Sequence, residues 1–284
     1  MIKYIKYIYI FKFKKKILKL VWIIVAKFYL QNNSKNVKEI IKKNRKHLAK
    51  QVDLISLDEY SKNNYGIPKK NYHLINKPIN NNLINIDLIV YILKNMNLAK
   101  INYLEIGASV LKTFMTINNS VSNINQTAYD INPLIKKYDK NFEDNSLIYF
   151  QGDVLNSVDT SEFNQINTYT FDFVFSDALH AKTEVEKEFE SIIKNNLKDN
   201  FIIYYDDLKL GGKNNTVEEA VKIIYKKLNS ENNNTNLYTF WIYGWLGQYE
   251  DMHKNAIITN IDIESILEKE NIRLPFFKKI KNHN

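Results

Sequence analysis

The sequence predicts an α/β protein: a Rossmann-like, doubly wound, mostly parallel seven-stranded sheet with an antiparallel edge pair and an N-terminal helical extension. Three observations predict it. Short apolar runs recur along the chain, segments with helical spacing separate most of them, and the last two runs have no helix between them. Apolar runs that alternate with helices are typical of a parallel sheet covered on both faces. Two runs without an intervening helix favour antiparallel pairing.

The elements follow in chain order. Residues 35–58 and 86–97 carry apolar residues at helical spacing and are predicted as helices. The segment 60–84 between them is polar, with glycine, prolines and an asparagine run, which predicts a linker or a loop over an active site. Further helices are predicted at 109–119, 133–141, 183–196 and 216–229. Strands are predicted at 101–106, 126–131, 147–150, 171–176, 201–205, 238–243 and 256–261.

The positive charge of the chain lies in its N-terminal part. The formal net charge is +9, but residues 1–50 hold 15 Lys or Arg and one acid, Glu39, whereas the other 234 residues hold 25 basic and 30 acidic residues. A nucleic-acid-binding domain spreads positive charge over its folded face, so nucleic acid is not an expected partner. We divide the chain into a basic hydrophobic arm (1–34), a helical extension and loop (35–85) and an α/β domain (86–284).

Residues 1–30 alternate eight lysines with aromatic and aliphatic residues and contain no acid. Their longest apolar run, 20–26, is too short to span a bilayer, and no small-residue cleavage site follows it. A basic amphipathic helix in peripheral contact with an anionic membrane is one interpretation. A helix packed on the domain, or a loose arm, is the alternative. The chain has no cysteine, which fits a reducing compartment, and we expect a cytoplasmic protein, with membrane association through this arm as one interpretation.

Each of the five predicted parallel strands ends in, or is followed by, a carboxylate: Glu105, Asp130, Asp153, Asp177 and the pair Asp206-Asp207. A single acid at a strand end is more often a helix cap or a turn residue. Doubly wound sheets bind ligands beyond the carboxyl ends of their strands. Because acids at five strand ends are expected along one edge, capping alone does not explain them, and we predict a ligand site there.

The spacing of these residues indicates the kind of ligand. Asp130 lies 23 residues after Gly107, the separation at which an acid ending the second strand hydrogen-bonds the ribose hydroxyls of a nucleoside. Asp153 is then expected near an adenine edge. Gly107 allows the backbone to approach the ligand closely.

Three short motifs occur in the order of a known family. The segment YLEIG (103–107), the pair Tyr129-Asp130 and the pair Gly152-Asp153 resemble the first three motifs of class I S-adenosylmethionine (SAM)-dependent methyltransferases. The stretch 171–208 resembles the branch of metal-dependent small-molecule O-methyltransferases, including macrolide-sugar methyltransferases, with D-x-x-H after strand four and an acidic pair after strand five. The resemblance covers residues 86–262.

The resemblance implies a SAM-dependent O-methyltransferase that acts on a hydroxyl of a small molecule, a sugar or glycan, with a divalent metal such as Mg²⁺. It implies Asp177 and His180 as catalytic residues, with His180 as the general base. It implies Asp177, Asp206 and Asp207 as metal ligands. The residues expected at the cofactor are Glu105, Gly107, Ala108, Ser109, Asp130, Ile131, Asp153, Val154, Ser176 and Asp177.

Other interpretations of these residues stay open. His180 is equally expected to cap the following helix, and a solvated turn before Gly211-Gly212 is the less favoured alternative for Asp206-Asp207. Trp245 offers a platform for a sugar, but an apolar edge strand explains the aromatic stretch 238–248 as well. Four further histidines, His47, His73, His253 and His283, show no partner in the sequence, and the tail 276–284 is expected to fray.

The first loop departs from the resembled family, whose pattern G-x-G-x-G has two or three glycines. Here it reads Gly107-Ala-Ser-Val-Leu-Lys112, and bulky side chains are expected to crowd the methionine part of SAM. A non-catalytic SAM-fold module tethered by the basic arm is therefore the main alternative. Methylation of RNA or protein would require a basic rim around the catalytic site, whereas residues 51–284 carry more acidic than basic residues. An NAD-dependent dehydrogenase would require a glycine-rich loop, whereas this loop has one glycine.

Overall fold

The computed structural model describes residues 20–21, 23–25, 28, 33–54, 82–143, 146–155, 165–212, 215–231, 234–244, 247 and 252–280. Most of the predicted arm, most of the predicted loop 60–84, and Trp245 lie outside the described residues. No helix within the described part of the chain is both long enough and apolar enough to cross a membrane.

Six α-helices have bounds within the described residues, and residues 20–21, 23–25, 28 and 165–166 are also helical. The six helices are α1 Lys35–Leu54, α2 Asn85–Asn95, α3 Lys112–Ser120, α4 Lys182–Glu188, α5 Val217–Glu231 and α6 Ile263–Glu268. Helix α4 continues as a π-helical turn, Phe189–Ile193, and a 3₁₀ turn, Lys194–Asn196. The stretch predicted as helix at 133–141 is a 3₁₀ helix, Lys136–Phe142.

Ten strands are described. They are β1 Ile101–Ile106, β2 Ile124–Asp130, β3 Leu147–Gln151, β4 Phe171–Ser176, β5 Leu197–Tyr205, β6 Gly211–Gly212, β7 Asn215–Thr216, β8 Asn236–Tyr243, β9 Met252–Thr259 and β10 Lys278–Ile280. Strands β6 and β7 form a small separate hairpin, and the other eight form one sheet.

The sheet confirms the predicted fold class. Its order is β10-β8-β9-β5-β4-β1-β2-β3, and β1 to β5 are mutually parallel. Strand β9 is antiparallel to both of its neighbours, β5 and β8. Strand β10 adds an eighth, antiparallel edge strand, so the expectation that the whole tail frays is wrong for residues 278–280. The carboxyl ends of β1 to β5 therefore lie along one edge of the sheet.

An apolar layer covers each face of the sheet. One layer joins the sheet to α1, α2 and α3 and includes Val37, Ile41 and Leu48 of α1. The other lies beneath α4 and α5. Burying a side chain such as Leu48 stabilises the fold by about 1.5–3 kcal/mol. Helix α2 is buried from Asn85 to Leu93, because α1 covers it on the outside.

A buried ion pair fastens α1 to α2. The Asp87 carboxylate is fully buried. It accepts hydrogen bonds from Arg45 Nη1 at 3.0 Å, from Arg45 Nη2 at 2.7 Å and from the Asn44 side-chain amide at 2.9 Å. It also accepts the backbone N–H of Ile84 at 3.0 Å, which caps the start of α2. Since a carboxylate has about four acceptor positions, Asp87 is fully satisfied by these groups.

Candidate functional site

The loop after β1 holds the backbone conformation that favours glycine at three alternate positions. The φ angles are +85° at Gly107, +48° at Ser109 and +60° at Leu111. A left-handed conformation costs a residue with a Cβ atom roughly 1–2 kcal/mol. These conformations delay the helix, so the predicted start of a helix at 109 is wrong and α3 begins at Lys112.

Gly107 lies where two loops of the site meet. A Cβ atom there would lie 2.6 Å from the carbonyl oxygen of Asp177 and 2.7 Å from the Cα atom of Ala178. The loop after β1 thus packs directly against the loop after β4, which only glycine permits at this distance.

Asp130 ties the end of β2 to the loop after β1. One of its carboxylate oxygens accepts the backbone N–H of Ser109 at 2.6 Å. The other accepts the backbone and side-chain amides of Asn132 at 2.8 and 2.9 Å. These bonds use three of the roughly four acceptor positions of a carboxylate. The structure therefore brings Gly107, Ser109 and Asp130 together.

The other predicted cofactor residues near β2 and β3 differ in exposure. Ile131 is 62% exposed next to Asp130, whereas Ala108 and Val154 are buried in the two apolar layers. Asp153 accepts the backbone N–H of Leu155 at 2.8 Å, a turn contact of the kind that a strand-end acid commonly makes. Of these residues, Ile131 presents the largest apolar surface at the edge of the sheet.

Glu105 lies inside the sheet. Its carboxyl is buried and accepts a hydrogen bond from the Tyr103 hydroxyl at 2.7 Å. Burial raises the pKa of Glu105 to about 8, the Tyr103 hydrogen bond opposes this, and the nearby Asp130 charge adds to it. Near neutral pH the group is therefore largely protonated and serves as a neutral part of the interior.

Ser176, also predicted at the cofactor, donates its hydroxyl to an interior carboxyl. The acceptor is Glu188 at 2.6 Å, at the junction between α4 and the π-helical turn, and both residues are buried. Burial raises the pKa of Glu188 to about 7, against the opposing effect of the Ser176 hydrogen bond. The Ser176 hydroxyl therefore donates to a group in the interior of the protein.

The acids that follow β4 and β5 lie close together. Burial raises the pKa of Asp177 well above its usual range, and the charges of Asp206 and Asp207 raise it further. Burial acts in the same direction on Asp206, but the charge and hydrogen bond of His253 outweigh it and hold the pKa of Asp206 below its usual range. His180 Nε2 lies 3.8 Å from Asp207 Oδ2. The predicted set of Asp177, His180, Asp206 and Asp207 therefore forms one cluster.

His253 is a member of this cluster that the sequence analysis missed. Its Nδ1 atom lies 2.7 Å from Asp207 Oδ1 and 3.3 Å from Asp206 Oδ1, so the expectation that it has no partner is wrong. The antiparallel register pairs Ala256 with Tyr205 and carries residues just before Ala256 past the carboxyl end of β5. An antiparallel β9 beside β5 was the signal needed to find it.

Two groups of three side chains in this cluster have ligand atoms within 4.8 Å of one another: Asp177, His180 and Asp207, and Asp206, Asp207 and His253. Asp207 belongs to both groups and takes a left-handed φ of +52°, a form of strain that is common at functional sites. The Asn85 amide donates to Asp206 Oδ2 at 3.2 Å. Carboxylate and imidazole donors in this number fit a divalent cation.

No protein-family model matches the chain, and no curated protein matches it. Similar solved structures include a protein described as a putative caffeoyl-CoA O-methyltransferase from Staphylococcus aureus, at 20% identity and a TM-score of 0.42, covering 61% of this chain and 81% of that one. They include an O-methyltransferase from Bacillus cereus in complex with SAH, at 16% identity and a TM-score of 0.45, covering 61% and 78%. They also include the O-methyltransferase TomG from Streptomyces achromogenes in complex with SAM, at 10% identity and a TM-score of 0.41, covering 72% and 90%.

Proposed function

We propose that this chain is a SAM-dependent O-methyltransferase that methylates a hydroxyl of a small molecule, a sugar or glycan, with the help of a divalent cation. One observation carries the proposal. A loop suited to a nucleoside (Gly107, Ser109 and Asp130) and a cluster suited to a cation and a proton acceptor (Asp177 to His180 and Asp206-Asp207) meet at Gly107, through backbone contact. Methyl transfer requires such adjacency, because donor and acceptor must be aligned.

The nucleoside part of SAM would lie along Asp130 and Ile131. Ser109 and Asn132 leave about one acceptor position open on the Asp130 carboxylate, and a ribose hydroxyl would donate to it, as at the second strand of other doubly wound folds. Ile131 is largely exposed beside it and offers an apolar surface for the adenine ring. Bound SAM supplies a methyl group on a positively charged sulfur.

The acceptor hydroxyl would lie beside His180. The His180 side chain is 41% exposed, and Asp207 lies 3.8 Å from its Nε2 atom. The imidazole is placed to accept the hydroxyl proton as a general base, and the Asp207 carboxylate would stabilise the resulting positive charge. Asp177, Asp206 and Asp207 would hold the cation, which lowers the pKa of a bound hydroxyl.

The sheet order argues against a dinucleotide-dependent dehydrogenase. The Rossmann dinucleotide fold continues after its fifth strand with a sixth parallel strand, in the order 3-2-1-4-5-6. In this chain the antiparallel strand β9 occupies the position next to β5. The antiparallel strand beside β5 and the single glycine in the loop after β1 both argue against a dehydrogenase that binds NAD.

Calorimetry with SAM tests the first half of the proposal. We expect micromolar binding to the full-length chain and a loss of at least tenfold in Asp130→Ala. His47→Ala, in α1, is the control. If the wild-type chain does not bind SAM, the methyltransferase proposal is wrong, and a non-catalytic module tethered through the arm becomes the better interpretation.

Turnover with a panel of sugars tests the second half. We expect methyl transfer with added divalent metal and a loss of about 10²–10⁴-fold in His180→Ala, the usual contribution of a general base. Asp206→Ala should lose activity that excess metal restores only in part. Undiminished activity in EDTA would remove the cation from the proposal and leave SAM binding in place.

A further inference from the structure

We propose that His253 is a nitrogen ligand of the divalent cation, and that the site therefore selects a transition metal that binds imidazole, such as Fe²⁺, Co²⁺ or Zn²⁺, over Mg²⁺. This inference rests on the cation site of the proposed function and names the metal class that it takes.

The position of His253 carries the inference. Its Nδ1 atom lies within 2.7–3.3 Å of a carboxylate oxygen from each of Asp206 and Asp207. All three ligand atoms lie within 4.8 Å of one another, so an ion between them meets two oxygens and one nitrogen. The same two acids were expected from the sequence to hold Mg²⁺, but an imidazole beside them changes the chemistry of the ligand set.

Mg²⁺ and transition metals respond differently to that ligand set. Mg²⁺ prefers near-ideal octahedral oxygen coordination and keeps several waters. Imidazole suits Fe, Ni, Cu and Zn, and the affinity of nitrogen-containing sites rises along the first transition row towards copper. The alternative group, Asp177, His180 and Asp207, also contains one imidazole. A mixed nitrogen and oxygen set results at either position.

Two features favour His253 over His180 as the ligand. His253 lies on strand β9, where it pairs with Ile242 of β8, whereas His180 lies in the loop after β4. Ligands on strands hold metal geometry more firmly than ligands on loops. The side chain of His253 is also less exposed, 25% against 41%. His180 is thus left beside the substrate hydroxyl, where a base is needed to take the hydroxyl proton.

Metal titration of the full-length chain tests the inference. We expect Zn²⁺ and Co²⁺ to bind at least tenfold more tightly than Mg²⁺. In His253→Ala, their affinity should fall by about 100-fold, the upper end of the loss seen when groups around a metal are removed, while weak Mg²⁺ binding changes little. His47→Ala is the control, and circular dichroism checks that each variant is folded.

Pulsed electron paramagnetic resonance with Cu²⁺ provides a readout that does not depend on affinity. An imidazole nitrogen signal should persist in His180→Ala and disappear in His253→Ala. Loss of the signal in His180→Ala alone, or Mg²⁺ binding as tight as that of Zn²⁺, would overturn the inference. So would the absence of metal binding, in which case His253 serves only as an ion-pair partner of Asp206 and Asp207. SAM calorimetry without metal distinguishes these outcomes from failure of the proposed function.

Discussion

Replacing Glu188 by Gln should stabilise the protein above neutral pH and leave it nearly unchanged in mild acid. The Glu188 carboxyl is fully buried, and burial raises its pKa from 4.5 to about 7. In the unfolded chain the carboxyl has a pKa near 4.5. Above that pH the folded chain must either keep the carboxyl protonated or bury its negative charge, and both lower the stability of the fold. Each pKa unit corresponds to 1.36 kcal/mol. At alkaline pH the buried Glu188 carboxylate therefore lowers the free energy of unfolding by on the order of 3 kcal/mol.

The sign of the pH dependence follows from proton binding. Between pH 4.5 and about 7 the folded chain binds more protons at this carboxyl than the unfolded chain does. The contribution of Glu188 to stability therefore falls as the pH rises through this window and stays constant above it. Gln keeps an acceptor for the Ser176 hydroxyl but carries no charge. It should recover up to about 3 kcal/mol at about pH 8 and progressively less as the pH approaches 4.5.

Urea unfolding at about pH 5 and about pH 8 measures this difference. Glu190→Gln is the matched control, because Glu190 is exposed two residues further on and pairs with Lys227 on the surface. Its effect should stay within about 1 kcal/mol at both pH values. If Glu188→Gln shifts the two unfolding curves equally, the carboxyl is not the buried titrating group that the structure indicates.

Further substitutions test the loop, the α1 contact and the arm. Gly107→Ala should abolish SAM binding measured by calorimetry, since φ is +85° and a Cβ atom would clash with the loop after β4. Ser109→Gly should raise the melting temperature through relief of about 1 kcal/mol of left-handed strain; an unchanged melting temperature counts against that strain. Arg45→Met leaves Asp87 buried without its main partner and should cost about 3–5 kcal/mol in urea unfolding. If the arm contacts membranes, deletion of residues 1–30 abolishes sedimentation with vesicles of anionic lipid, and unchanged sedimentation removes that interpretation of the arm.

The central strands of the fold were predictable because they are buried on both faces. Strands β1 and β4 have the predicted bounds, since each is a short, mostly apolar segment that ends next to a glycine or an acid. Short elements gave no such signal. The hairpin of β6 and β7 has two residues in each strand, and β10 has three, so their pairing depends on neighbours that local sequence does not specify.

The acids of the site were predictable, but their partners were not. The sequence placed Asp177 and Asp206 at strand ends, and strand order alone brings those ends together. The contacts of Glu188 with Ser176 and of His253 with Asp207 depend on helix packing and on the register of an antiparallel strand. Both are long-range properties, and no spacing within a motif encodes them.

The loop after β1 shows why a motif and a backbone conformation must be judged separately. The missing glycines suggested a loop too crowded for SAM, yet Ser109 and Leu111 keep left-handed conformations at an expense of roughly 1–2 kcal/mol each. The Asp130 hydrogen bond to the Ser109 N–H and the complete burial of Leu111 offset that strain. The loop therefore keeps three left-handed positions beside Asp130 with only one glycine, and the number of glycines in the motif does not by itself decide its backbone conformation.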